Sequence, residues 1–320
     1  ALDFAMIKVQ DGDPQTWQVG ECRITRVIEM ETIGGQTWIM PKATKNVARS
    51  VEWLAPNFSD ERGSMKFAIQ LMVVDAPGIR IAVDTCVGND KKRPLAHWHL
   101  RTAPFLEDLE KAGITIDSVT HVFCTHLHTD HIGWNTRWLD GRWVPTFPKA
   151  EYLFGKKEYD YWSAGGRAGE QGSEGDIAEE MADSVQPIID AGLAKFVDTD
   201  HVIFDAGKTR IFLRPTPGHT PGHASLMIES QGAKAIITGD CFHHPLQLTK
   251  IDVGSRADTD SAQAVKTRTC LLEEFCGTPT LMFGTHFARP TAGTVVAHTE
   301  NYKLCTEAGA AAVVPRKAKM

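Results

Sequence analysis

The 320-residue chain has no CxxC pair, no basic excess and no low-complexity stretch. It also has no apolar run near the roughly 18 residues that span a bilayer, so no membrane segment is expected. Its seven cysteines (Cys22, Cys86, Cys124, Cys241, Cys270, Cys276 and Cys305) are odd in number and scattered. That excludes a disulfide framework or a zinc ribbon and fits small buried hydrophobes in a reducing compartment. Lys and Arg total 34 against 40 Asp and Glu, a formal net charge of −6. A nucleic-acid surface needs clustered basic residues and finds no support here. No basic stretch followed by an apolar core opens the chain, so a cytoplasmic location is expected, with a cleaved leader left open by the initial Ala. With 42 % apolar and 23 % charged residues, composition excludes collagen, coiled coil and disorder. A chain this long buries a core without metals or disulfides. No internal repeat or linker divides it, so residues 1–320 read as one domain.

Thirteen histidines remain to be explained, and they are unevenly spread. Strands are expected at 23–30, 66–74, 79–84, 119–125, 210–214, 224–229, 235–238 and 280–284, where β-branched and apolar residues run between turn residues. Helices are expected at 102–112, 174–191 and 258–275. A Gly-rich stretch, 165–175, reads as a mobile loop. Residues 31–64 form a long mixed segment with Trp38, Met40, Trp53 and Phe58, and such segments are usually functional or interfacial. Strand runs interleaved with helices suit an α/β sandwich with helices outside two sheets.

The strongest segment is Thr125-His126-Leu127-His128-Thr129-Asp130-His131. It follows directly on a strand. His126 and His128 share one side of the extended chain, and Asp130 and His131 face a second point after a bend. Imidazole nitrogen and carboxylate oxygen suit zinc, iron, manganese or nickel. His219 lies in a Pro- and Gly-rich turn at 216–223, Asp240 follows a strand in Thr238-Gly239-Asp240, and His286 ends Gly284-Thr285-His286. Strand ends gather such distant residues into one cleft.

This HxHxDH segment, the later PGHTPGH, the GD and the GTH, in this order, resemble the metallo-β-lactamase superfamily over about residues 23–286. The resemblance implies an αββα sandwich. It implies one metal on His126, His128 and His219, a second on Asp130, His131 and His286, and Asp240 bridging them. Two divalent ions, zinc by default with iron or manganese accepted, would share a water that becomes the nucleophile. Asp130 would help orient that water. Asp84 resembles a supporting position behind the ligands, and His223 is a second candidate for it.

The lactonases of the superfamily carry Tyr three residues after the bridging Asp. Here that position is His243, followed by His244; these are the candidate proton carriers, and His244 is also a candidate, with Asp84 and His223, for supporting the ligands from behind. The bridging carboxylate argues against a zinc β-lactamase. The net charge argues against a ribonuclease. Glutathione-thioester hydrolases share the ligands, but are usually shorter with a basic C-terminal segment, and the run at 316–319 is too terminal for that. The lactonase and organophosphate-hydrolase branch has an N-terminal extension, matched here by 1–64, which walls the pocket and joins a homodimer. Trp134, Trp138, Trp143 and Phe287 lie near the motifs, with half expected in the core and Trp134 and Phe287 assigned to the substrate pocket. The expectation is a dinuclear hydrolase of an ester, lactone or phosphotriester of a small apolar molecule. A hydrolytic dehalogenase of electron-poor aromatics or a thioester hydrolase is the alternative. A binding module usually loses ligands, and none is lost. A di-iron electron-transfer variant needs a Glu that Leu127-His128 does not supply.

Overall fold

The computed structural model describes residues 4–7, 15–166, 177–299 and 301–306, and in it two sheets stack face to face with helices on both outer faces. The first sheet is built from β1 (Phe4–Ile7), β2 (Thr16–Val19), β3 (Cys22–Gly34), β4 (Lys66–Ala76), β5 (Ile79–Val83) and β6 (His121–Cys124). A hairpin of β7 (Thr136–Leu139) and β8 (Arg142–Pro145) stands apart, and β9 (Glu151–Gly155) and β10 (Ala194–Val197) complete the sheet. Its order is β1-β3-β4-β5-β6-β9-β10, with β2 pairing β3. The second sheet runs in chain order: β11 (Val202–Ala206), β12 (Thr209–Pro215), β13 (Ala224–Ser230), β14 (Ala233–Ile237), β15 (Leu281–Phe283), β16 (Ala292–Ala297) and β17 (Tyr302–Cys305).

Ile24, Val74, Phe123, Ile211, Leu226 and Phe283 meet between the sheets. Truncating a buried Phe such as Phe123 costs about 3–5 kcal/mol through lost transfer energy and the cavity left behind. β4 is buried through its middle on both faces, which is why it reads as a continuous apolar run. The helices are α1 (Gln36–Ile39), α2 (Lys45–Arg49), α3 (Phe105–Lys111), α4 (Thr129–Ile132), α5 (Lys156–Ser163), α6 (Ile177–Ser184), α7 (Gln186–Asp190), α8 (Leu246–Thr249) and α9 (Ser261–Phe275). α3 and α7 cover the outer face of the first sheet through Phe105 and Ile188, and α9 covers the second through Leu271 and Phe275. Among the described residues no helix is long and apolar enough to cross a membrane. All seven cysteines are free, and four of them are buried.

Three expectations are corrected. The expected helix 174–191 is two helices broken at Val185, because Pro187 opens the second and cannot continue the first. The carbonyl of Asp183, which Pro187 cannot use, accepts from Lys91 Nζ instead. The helix expected from 258 starts at Ser261, capped by the Asp260 side chain on the Gln263 amide. That frees Asp258 for another task. Finally, β3 runs on to Gly34 through a bulge, where the register slips between Ile28 and Met30. The bulge aims Glu29 inward, where it accepts from the amides of Val87 and Gly88 and from the Trp134 indole. Of the expected mobile loop 165–175, residues 167–175 lie outside the described residues.

Candidate metal centre

The chemistry-bearing side chains sit at the C-terminal ends of β6, β14 and β15 and in the β12–β13 turn. Past β6 the chain bends at Thr125 and His126, is extended at His128, then turns into α4. That turn separates His126 and His128 from Asp130 and His131. After β14 a tight turn, Gly239–Cys241, presents Asp240. Gly239 has φ +54°, and a Cβ there would lie 2.6 Å from His223 Nε2 and 2.7 Å from Thr125 Oγ1. Only glycine permits this approach.

Two donor clusters result: His126, His128, His219 and Asp240 form one, and Asp130, His131 and His286 form the other. Within each, the ligand atoms lie within 4.8 Å of one another. In the first, His128 Nδ1 is 2.9 Å from both His126 Nε2 and His219 Nε2. The carboxylate of Asp240 faces both clusters. Its Oδ2 lies 3.3 Å from His219 Nε2 and 3.8 Å from His126 Nε2, and its Oδ1 lies 3.2 Å from His131 Nε2 and 3.0 Å from His286 Nε2. Asp130 completes the second cluster, 3.5 Å from His286 Nε2.

Whether a cation fits can be read from the far side of each ring. His126 Nδ1 pairs with Thr125 Oγ1 at 3.0 Å, and that hydroxyl donates to Asp84 Oδ2. His219 Nδ1 meets Asp258 Oδ1 at 3.0 Å, His286 Nδ1 meets the Ala68 carbonyl at 2.9 Å, and His131 Nδ1 lies 2.9 Å from Asp84 Oδ2. The outer nitrogens of His126, His219 and His286 are thus held by hydrogen bonds that leave each Nε2 lone pair pointing inward, as metal-ligating histidines are held, while His131 Nδ1 faces the Asp84 carboxylate. Among the described residues, His131 Nε2 and Asp240 Oδ1 have no hydrogen-bond partner although both are buried. Three imidazole lone pairs converging on one point cannot satisfy each other with protons. A divalent cation satisfies them all, so the donor set fits a metal.

The fields of the two clusters differ. Burial, helped by neighbouring rings, drives His126 and His128 well below the ordinary imidazole range. Burial also opposes charge on His131 and His286, but carboxylates outweigh it: Asp240, Asp84 and Asp130 raise His131 well above its usual value, and Asp240 with Asp130 brings His286 to about 9. Asp240, which burial alone would push up, is held well below the carboxylate range by His131, His286 and His243.

The remaining sequence candidates separate clearly. Asp84 touches both clusters from behind through Thr125 and His131. His223 Nε2 accepts the Asp240 amide at 3.0 Å and its Nδ1 meets Thr216 Oγ1, so it fixes the backbone of Asp240 rather than the centre. Burial pushes His223 down to about 3. His243 Nε2 is 3.2 Å from Asp240 Oδ2, its ring stacks on His286, and neither ring nitrogen has a hydrogen-bond partner among the described residues. Burial lowers its pKa. His244 is corrected as a proton carrier. Its Nε2 donates to the Phe58 carbonyl and its Nδ1 accepts the Leu246 amide, so both nitrogens are used.

A cleft of about 690 Å³, open to solvent, ends on His128, Asp130, His219, Asp240, His243 and His286. Its walls are Met30, Trp38, Ile39, Phe67, Ile69, Leu95 and Trp98, with His97 among them. Trp134 and Phe287, assigned above to the pocket, are not in the walls. Trp134 turns inward to Glu29 and stacks on Phe105, and Phe287 lies in the core against Phe58. Trp138 and Trp143 pair on the β7–β8 hairpin, with Trp138 half exposed. Sequence reading missed Asp258, 39 residues from the His219 it supports, and Gln247, whose side chain accepts the amides of His243 and His244. No local pattern marks either. Trp38 carried a signal, as an aromatic in the long segment 31–64.

The chain is 25 % identical to "Probable metallo-hydrolase YybB" of Bacillus subtilis over 161 residues, 47 % of this chain and 61 % of that protein. It is 29 % identical over 139 residues to the N-acyl homoserine lactonase AttM of Rhizobium radiobacter, 41 % of this chain and 44 % of that one. The chain thus spans about half the length of the curated relatives it matches. Among solved structures, AidC, a dizinc quorum-quenching lactonase in complex with a product, superposes with a TM-score of 0.71. That superposition covers 92 % of this chain and 97 % of that one at 22 % identity, a likeness of fold. Residues 70–274 match the metallo-beta-lactamase superfamily, as the order of the motifs implied, and the chain belongs to it.

Proposed function

We propose that the protein is a hydrolase that holds two divalent cations, zinc by default, and cleaves an ester, lactone or phosphotriester bond in a small apolar substrate. The observation that carries this reading is Asp240, whose two oxygens are divided between two donor clusters on the floor of an apolar cleft. His126, His128, His219 and Asp240 would hold one cation, and Asp130, His131, His286 and Asp240 the other. Two such cations, when bound, supply an activated water and a Lewis acid.

The chain's own residues do the rest. Thr125, Asp258 and the Ala68 carbonyl keep the protons of His126, His219 and His286 on the outer nitrogens, and Asp84 stands against Thr125 and His131. Trp38, Phe67, Leu95 and Trp98 bind the apolar part of the substrate and exclude water. His243 lies on the same floor with neither ring nitrogen in a hydrogen bond among the described residues, and it would give the leaving oxygen its proton. The AttM and AidC lactonases make a lactone the first substrate to try, and the cleft walls suit one with an acyl chain.

The test is elemental analysis of the purified chain, alongside turnover of an acyl-homoserine lactone, an aryl ester, a paraoxon-type triester, a thioester and a haloaromatic. Two metals per chain and lactone or ester turnover abolished by a chelator are expected. A folded, metal-free chain that turns over none of these would overturn the reading.

A further inference from the structure

Two buried polar side chains stand behind the metal centre without touching any donor atom. Glu158, in the first turn of α5, is 1 % exposed. Its Oε1 accepts the Leu127 amide at 3.2 Å and the Trp162 indole at 2.6 Å, and its Oε2 accepts the Gly222 amide at 3.0 Å. Leu127 lies between His126 and His128, and Gly222 lies three residues past His219. One carboxylate thus ties together the two segments that supply the three histidines of the first cluster. Gly222 lets it come close, since a Cβ there would lie 2.3 Å from the Glu158 nitrogen.

Gln70, on β4 and also 1 % exposed, does the matching work elsewhere. Its Nε2 donates to the carbonyls of Gly284 at 3.1 Å and Phe287 at 3.0 Å, on either side of His286. Its orientation is fixed by Arg26, whose guanidinium has only donors and so must face the amide oxygen. Arg26 is itself buried and held by Glu31 at 2.7 Å. Beside them the Ala68 amide donates to the His286 carbonyl at 3.0 Å. Among the described residues no hydrogen bond joins Glu158 to the His286 loop, or Gln70 to the loops of His126 and His219.

We infer that Glu158 and Gln70 are independent positioning residues, each setting the geometry of one cation site: Glu158 that of His126, His128 and His219, and Gln70, oriented by Arg26, that of His286. This rests on the dinuclear reading above. A shared structural role would weaken both sites together, whereas separate clamps weaken one each.

The experiment titrates the metal-free full chain with Co²⁺, reading equivalents by elemental analysis and environment by visible absorption. The unaltered chain should bind two equivalents. Gln70→Glu places a carboxylate against two carbonyls, and Gln70→Met removes both donors at similar volume. Each should leave one tight equivalent, weaken the second about 10–100-fold, and give the spectrum of His286→Ala. Glu158→Gln sets an N–H against the Gly222 N–H, and should weaken the other equivalent and give the spectrum of His219→Ala. Amide hydrogen exchange of the metal-free variants reads the clamps with no cation present. Glu158→Gln should speed exchange at Leu127 and Gly222, and Gln70→Met at Ala68 and Phe287. Equal weakening of both sites, no weakening of either, exchange that spreads to the opposite loops, or failure of both Gln70 variants to fold would overturn the inference. Fewer than two equivalents on the unaltered chain overturns the dinuclear reading itself, whatever the exchange shows.

Discussion

The two donor clusters share one carboxylate and one motif, yet they lie in opposite fields. The cluster of His126, His128 and His219 is nitrogen-rich, buried and crowded by rings, so His126 and His128 resist a proton. The cluster of Asp130, His131 and His286 is surrounded by carboxylates, so its imidazoles attract one. The HxHxDH segment feeds both, which means the motif does not set the difference. Segments outside it do: the β12–β13 turn brings a third imidazole to one side, and Asp84 with the β15 loop completes the other. A ligand list read from sequence therefore names the donors, but the field around them comes from the packing.

Changes at the centre should expose this asymmetry to different degrees. Asp240→Ala removes the group common to both clusters, and metal content should fall below one per chain, with turnover down by on the order of 10³–10⁴-fold. Retention of two metals at normal activity would show that the clusters do not depend on it. His243→Phe should cut kcat by about 10²–10⁴-fold, the scale of a lost proton-transfer group, while elemental analysis still finds both cations. A coincident loss of metal would make His243 a ligand of the first cluster instead. Asp84→Asn weakens the brace shared through Thr125 and His131, and both cations should bind about 10–100-fold less tightly. An effect on one alone would break the symmetry claimed for Asp84.

The smallest effect belongs to Thr129, which lies between His128 and Asp130 in the chain and donates to buried Glu180. Burial raises Glu180 from 4.5 to about 7. The folded carboxyl keeps its proton where the unfolded one has lost it, so its contribution to stability is full below pH 4.5 and declines as pH rises to about 7. The melting temperature of the metal-free chain should drop by a few degrees between pH 5 and pH 8 from this group. In Glu180→Gln the drop should shrink, and an unchanged pH profile would remove Glu180 from the account.

Much of the centre was legible because its donors follow strands. β6, β14 and β15 announce themselves as apolar runs, and a His or Asp just beyond such a run sits at a sheet end. The αββα arrangement followed from the same runs and from the family resemblance. The cleft was less legible, because neighbours in sequence point to opposite sides of the chain. Trp134 is three residues past His131 but turns toward Glu29, and Phe287 adjoins His286 but faces Phe58 in the core. The walls come instead from Met30, Trp38, Leu95 and Trp98, which no spacing links to the motifs. Asp258, Gln70 and Glu158 are single polar residues whose meaning lies in buried partners far along the chain. The break at Val185 was available from Pro187, which stands inside the helix expected over 174–191.

The segregation of walls from donors has a consequence for engineering. Ile39, Leu95 and Trp98 line the cleft but support no donor ring by a hydrogen bond among those described. A combinatorial library confined to these three positions would explore acyl-chain length and aromatic substituents while leaving the reactive floor intact. Phe67 and Ile69 should be left out of such a library, since they flank the Ala68 carbonyl on which His286 rests.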